Sequence, residues 1–347
     1  MENILPHQNS YLLGQDDALD KFLNAFKQGT LHNSWLISGP KGIGKATFAY
    51  KIARFLLAVG NEQTNEYASI NITENHPVFK LIASNSHPDL KIIERDFIDT
   101  DKKKIIKAIK EGEALDEEDL KNLKKSSVIK VDEIRIVNDF LGKKSFDGNW
   151  RVVIIDCADD MNLSAANALL KILEEPPAKS ILLLISHNPN KLLPTIKSRC
   201  AKINLSALDT NIVSSLLRRY RPELSEIEVE KLSQICSGSI GKAINYADNG
   251  GLLLYQMLEN LFFAGKDFDI VKAIELSTMA SKDENVWDLL QELVTKFVSD
   301  MMLGGEHIEE LGQAWDKVRV IFADTINLNM DKKQAMINII NTICKAM

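Results

Sequence analysis

Seven consecutive residues, Gly39-Pro40-Lys41-Gly42-Ile43-Gly44-Lys45, match the first seven positions of the phosphate-binding pattern GxxxxGK[ST]. Gly39, Gly42 and Gly44 let backbone N–H groups turn inward around phosphates. The helix that follows points its positive end at them, and Lys45 reaches the β and γ oxygens. The eighth position is Ala46, where the pattern needs a hydroxyl to hold magnesium. Thr47 is next, but one helical residue turns a side chain by roughly 100°, so it cannot simply stand in. The loop therefore predicts a phosphate site over Gly39, Gly42, Gly44, Lys45, Ala46 and Thr47, with ATP as candidate ligand and magnesium placement left open.

These residues need a strand before the loop and a helix after it. The run 34–39 (SWLISG) reads as a buried strand, and the stretch from Lys45 to Gly60 has helical spacing. A second apolar run, WRVVIIDCADDMN over 150–162, carries four β-branched residues ending at Asp156, as a central parallel strand does. The run VVIID over 152–156 resembles the second strand motif of P-loop ATPases, which implies that Asp156 holds a metal through water. The next residue, which in an active ATPase is a Glu orienting the attacking water, is Cys157. Asp159 and Asp160 fall in the following turn and read as caps or solvated charges. A helix over 163–177, capped by Ser164 and stopped by Pro176-Pro177, leads to a third strand, 180–188. Strand, helix and strand make a parallel crossover.

Residues 98–130 are dense in both charge signs and read as a solvated insertion with one or two exposed helices. After residue 205 helix follows helix. The expected division is an α/β domain over 1–205, a small helical domain over 206–250 and a second helical domain over 251–347.

With 45% hydrophobic and 26% charged residues the chain reads as an ordinary globular protein. A net charge of -6 argues against binding nucleic acid over its whole surface, because that affinity comes from neutralising phosphates. No run approaches the roughly 18 apolar residues of a membrane helix, and no leader pattern opens the chain, so the cytoplasm is the expected compartment and no membrane partner is expected. Cys157, Cys200, Cys236 and Cys344 stand far apart with no CxxC pair, so a metal site is not expected and they read as buried small residues.

The segments HNSWLISGPKGIGKAT, ASNSHPDL, IKVDEIRIVNDFL, WRVVIIDCADDMNLSAANALLKILEEPP, LLLISHNPNKLLPTIKSRC and GSIGKAINYAD resemble, in this order, those of the bacterial clamp-loader AAA+ ATPase family. They span residue 31 to about 248. The resemblance implies a P-loop AAA+ domain with a parallel sheet, then a helical lid and an all-α collar that holds an oligomeric ring together. It implies work in DNA replication as part of the DNA polymerase III holoenzyme. The partners implied are gamma/tau and delta subunits, the sliding clamp, and primer-template DNA reached through the assembly. It makes Arg199, in Ser198-Arg199-Cys200, an arginine finger acting in trans on ATP held next door. Ser186 or Asn188 falls where relatives keep a polar sensor, and Gly241, beside Lys242, stands where active members carry an Arg. With Ala46, Cys157 and Gly241 all departing from the active pattern, the resemblance favours the delta-prime type of subunit over the hydrolysing gamma/tau type. It leaves no zinc expected, since residues 58–90 lack the cysteines of the family's zinc module. Lys171 and Glu174 on the LLKILEEPP helix are expected on a solvated face, with a face towards a neighbouring subunit as the alternative. A metabolic P-loop kinase fits poorly, because no substrate lid with catalytic basic residues is visible.

Overall fold

The computed structural model describes residues 5–60, 67–111, 123–143, 145, 149–305 and 307–347. They form two compact units, Met1–Asp209 and Thr210–Met347.

The first unit is built on a five-stranded sheet. Its strands are β1 (Ser34–Ser38), β2 (Leu90–Ile93), β3 (Arg151–Ile155), β4 (Ser180–Ser186) and β5 (Ala201–Asn204), in the spatial order β2-β3-β4-β1-β5. All four pairings are parallel, with Ser34 opposite Leu182 and Ile155 opposite Leu184. Every residue of β1 and β4 is buried, which is why they read in the sequence as unbroken apolar runs. β2 and β5 are short edge strands with mixed burial, so an apolar-run criterion passes over them.

Side chains alternate between two apolar layers. On one face Trp35, Ile37, Val152, Ile154, Ile181, Leu183 and Ile185 pack against helices α1 (Asp16–Lys27) and α2 (Lys45–Val59) through Phe22, Phe26, Phe48 and Phe55. The short helix α3 (Pro77–Ala83) adds Ile82 to this face. On the other face Leu36, Val153, Ile155, Leu182 and Leu184 meet Ile134 and Val137 of one helix and Leu169 and Leu173 of another. Period-2 alternation of this kind fixes the register, since a one-residue slip would exchange the layers.

Helix α4 (Asp99–Glu111) lies in the charged segment and exposes most of its lysines. The segment is not wholly solvated: Asp101 is buried and accepts the Lys124 N–H at 2.8 Å, and Ile129 joins the core. Residues 112–122 of that segment lie outside the described residues. Two further helices, α5 (Val131–Leu141) and α6 (Leu163–Glu174), supply the second face. α6 begins two residues earlier than a Ser164 cap would require. Asn162 caps it, accepting the Ala165 N–H at 2.8 Å, because an extended Asn162 leaves its side chain over the open first turn. A last short helix, α7 (Pro194–Ser198), precedes β5.

The second unit is helical throughout its described residues: α8 (Thr210–Tyr220), α9 (Glu226–Ile235), α10 (Ile240–Asp248), α11 (Gly251–Phe263), α12 (Ile270–Lys282), α13 (Glu284–Leu303), α14 (Ile308–Asn327) and α15 (Lys332–Cys344). Ser225 and Glu228 form a capping box on α9, and Arg221 grips Asp248 across α8 and α10. Leu258, Phe262, Trp287, Leu293, Ile339 and Ile343 are fully buried in its core. Among the described residues no helix is long and apolar enough to cross a membrane.

Candidate nucleotide-binding site

β1 ends at Ser38, and the chain turns through the glycine loop into α2. Gly39 is required by close approach: a Cβ there would lie 2.3 Å from the Leu205 carbonyl oxygen. Gly44, the residue before α2, adopts φ of +100°, which L side chains rarely adopt, and a Cβ would meet Leu12 at 2.9 Å. With Gly42 also at positive φ, the loop curls over the positive end of a 15-residue helix. That cradle fits the phosphates of a nucleotide.

Lys45, only 3% exposed, donates from Nζ to the carbonyl oxygens of Gly39 at 2.6 Å and Pro40 at 2.5 Å, bracing the loop from inside. Burial pulls its pKa down to about 8, partly offset by the neighbouring Cys157, Asp156 and Asp159. A phosphate would restore the stabilisation of its charge that burial removes.

The donor set does not fit a magnesium ion as readily. Ala46 offers no oxygen, and Thr47 is buried within α2. Among the described residues no three His, Cys, Asp or Glu side chains converge as metal ligands. Asp156 follows β3, its N–H bonded to the Ile93 carbonyl at 2.8 Å. Burial first, and then the charge of Glu94, raise its pKa.

Cys157 follows in the left-handed conformation at φ of +60°, with Sγ 3.4 Å from His187 Nε2. It is half-buried rather than fully buried, unlike Cys200, Cys236 and Cys344, because the turn swings it towards β4. Burial and the carboxylates around it push its thiol up to about 12, so it stays neutral at pH 7. A neutral thiol cannot orient a water as a carboxylate does.

Asp159 is no solvated charge. Its carboxylate accepts the Ser186 hydroxyl at 2.5 Å, the His187 N–H at 2.5 Å and the Asn188 N–H at 3.0 Å, tying the turn after β3 to the end of β4. Ser186 is committed to this tie. Asn188 caps the next 3-10 turn by accepting the Asn190 N–H at 3.2 Å. Asp160 pairs with Arg95 at 3.4 Å.

Arg199 stands apart from these residues, at the end of α7 before β5. Ile196 and Cys200 on either side of it are buried, so its backbone is anchored while its side chain stays 35% exposed. Nη2 donates to Glu174 Oε1 at 2.7 Å and Nη1 to the Thr195 carbonyl at 3.1 Å. Glu174 therefore faces Arg199 and not solvent alone. In the second unit Gly241 lies in the first turn of α10, and its neighbour Lys242 pairs with Glu292 at 3.2 Å.

The family model described as DNA polymerase III, delta subunit, matches residues 14–209. The chain belongs to the delta-prime family of clamp-loader subunits. It is 31% identical over 207 residues to DNA polymerase III subunit delta′ of Pseudomonas aeruginosa, covering 60% of this chain and 53% of that relative. With subunit delta′ of Bacillus subtilis it shares 29% identity over 196 residues, 56% of this chain and 48% of the relative. The chain thus spans about half the length of these delta′ relatives. The gamma subunit of Buchnera aphidicola is 25% identical over 320 residues, 91% of this chain and 75% of that one. Among solved structures, a gamma subunit-related DNA polymerase III protein of Thermotoga maritima aligns over 96% of this chain and 99% of its own at 18% identity, with a TM-score of 0.42.

In this delta-prime family chain the loop lies between β1 and α2, Asp156 and Cys157 follow β3, and Arg199 follows α7, in the places the sequence order implies. The role of Asp159 escaped sequence reasoning, because contacts 27–29 residues apart leave no spacing signal. Glu174 opposite Arg199 escaped it for the same reason.

Two outcomes test this geometry. Asp159→Ala strips three donors of their acceptor and is expected to lower stability by about 1–3 kcal/mol in urea denaturation, with Asp159→Asn losing less. Burial holds Lys45 at a folded pKa of about 8 against 10.5 for a free lysine, so between those values the unfolded chain binds more protons. Its contribution to stability must rise with pH across that window. Denaturation at pH 7.5 and 10 should therefore show the wild type gaining on Lys45→Met at the higher pH.

Proposed function

We propose that this chain works in a bacterial clamp loader as a finger-donating subunit whose own ATP hydrolysis is weak or absent. Its partners are gamma/tau-type and delta-type subunits, the sliding clamp, and primer-template DNA met through the assembly. The observation that carries the reading is the contrast between two sites. Arg199 is half-exposed on an anchored turn, whereas the chain's own site has Ala46 without a hydroxyl and Cys157 as a neutral thiol.

In its own site the loop glycines and Lys45 would hold the phosphates of ATP, which brings a labile γ-phosphoryl group when bound. With Cys157 in place of a water-orienting carboxylate, a bound nucleotide would be kept rather than consumed. In the neighbour's site the Arg199 guanidinium neutralises charge growing on the transferring phosphoryl oxygens. Arg suits this task because its charge is permanent and its planar fork matches two oxygens at once.

The same proposal gives residues 206–250 the role of a lid and 251–347 that of a ring-holding collar. It places the work in the cytoplasm, as a component of the polymerase holoenzyme. Clamp loading on primed DNA then follows from ATP turnover next door, with DNA contacted as phosphate backbone.

A second reading, a hydrolysing gamma/tau-like subunit, is favoured by retained Lys45 and by the 91% of the chain covered in the gamma relative. One experiment separates the two: DNA-stimulated ATP turnover of a reconstituted complex whose remaining sites are silenced in their own phosphate loops. Arg199→Ala is expected to reduce turnover at the adjoining site by about 10³-fold or more, with Lys45→Ala close to wild type. The reverse pattern would establish the second reading.

A further inference from the structure

Glu174 is the last residue of α6, a place where a carboxylate is electrostatically disfavoured by the negative end of the helix. The stability of α6 therefore does not account for it. Its carboxylate instead meets Arg199 Nη2 at 2.7 Å, the short distance of a charge-assisted bond, while the Thr195 carbonyl takes Nη1 at 3.1 Å.

Both ends of this contact are stationary. Leu173 and Ile172, just before Glu174, are buried in the same apolar layer as Ile196 and Cys200, which flank Arg199. After Glu175 come Pro176 and Pro177, whose fixed φ stops the helix from extending or sliding. A free arginine populates many rotamers, whereas this one is held at two points and its remaining N–H groups stay available to a ligand.

We propose that Glu174 is the positioning residue that pre-aims Arg199 at the neighbour's ATP. The inference rests on reading Arg199 as a finger for that neighbour. Magnitudes separate it from the opposite role, a carboxylate that withholds the finger. An exposed ion pair is worth less than about a five-fold shift in population, whereas a finger is worth about 10³–10⁵ in rate. Glu174 is too weak to sequester Arg199 from a γ-phosphate, but strong enough to narrow its conformations beforehand. Orientation of this kind appears in kcat, because a misaimed group costs rate more than binding.

The test uses the reconstituted complex with only the adjoining site active, comparing Glu174→Ala, Glu174→Gln, Arg199→Ala and the double variant. Glu174→Ala is expected to lower kcat by about 2- to 5-fold with the KM for ATP little changed. Glu174→Gln keeps an acceptor oxygen and recovers most of the loss. The double variant matches Arg199→Ala, since a positioning residue has nothing left to position. Wild-type or faster turnover by Glu174→Ala, in a preparation where Arg199→Ala is slow, overturns the inference alone. Wild-type turnover by Arg199→Ala overturns it together with the finger reading on which it rests.

Discussion

The carboxylate of Asp159 holds three donors from the end of β4 against the turn that leaves β3. Parallel strands bring their C-terminal ends together on one edge of the sheet, but they do not by themselves lock the loops that emerge there. Asp159 supplies that lock. It keeps Cys157 in a left-handed turn beside His187, holds Ser186 away from any ligand, and sets a negative charge near buried Lys45. The glycine loop is braced separately, by Lys45 on its own carbonyls.

The phosphate site departs from the full phosphate-binding and hydrolysis pattern at two positions, Ala46 and Cys157. The cradle needs glycine at Gly39 and Gly44 on steric grounds, and glycine is what stands there. The groups that would act on a bound phosphate are different: Ala46 has no hydroxyl, and Cys157 is held neutral by its surroundings. Lys242, the cation nearest to Gly241 in the chain, is spent on Glu292. The feature oriented outward is Arg199, braced by Glu174 and Thr195 on a turn whose flanking residues are buried. On the proposed reading, the rigid part of the molecule is the turn that carries Arg199, and the chain's own phosphate site lacks groups for hydrolysis.

Much of this was legible in the chain itself. β1, β3 and β4 are buried on both faces, so they appear as uninterrupted apolar runs, and the loop between β1 and α2 has a pattern dictated by backbone sterics. β2 and β5 escaped because edge strands need no such run. Ser164 was the expected cap of α6, yet Asn162 takes the role, two plausible cap residues lying within one turn. The pairings of Asp159 with the end of β4 and of Glu174 with Arg199 join residues 25–29 apart. Neither helical nor strand periodicity reaches that far, so only the folded chain brings them together.

The most direct test of the central claim is the position of the Arg199 guanidinium in a cryo-EM map of the reconstituted loader with a non-hydrolysable ATP analogue. The account predicts it within about 3 Å of the γ-phosphate in the adjoining subunit, the distance of a charge-assisted contact, with Glu174 still against it. Density showing Arg199 turned away and another side chain on that phosphate would contradict it.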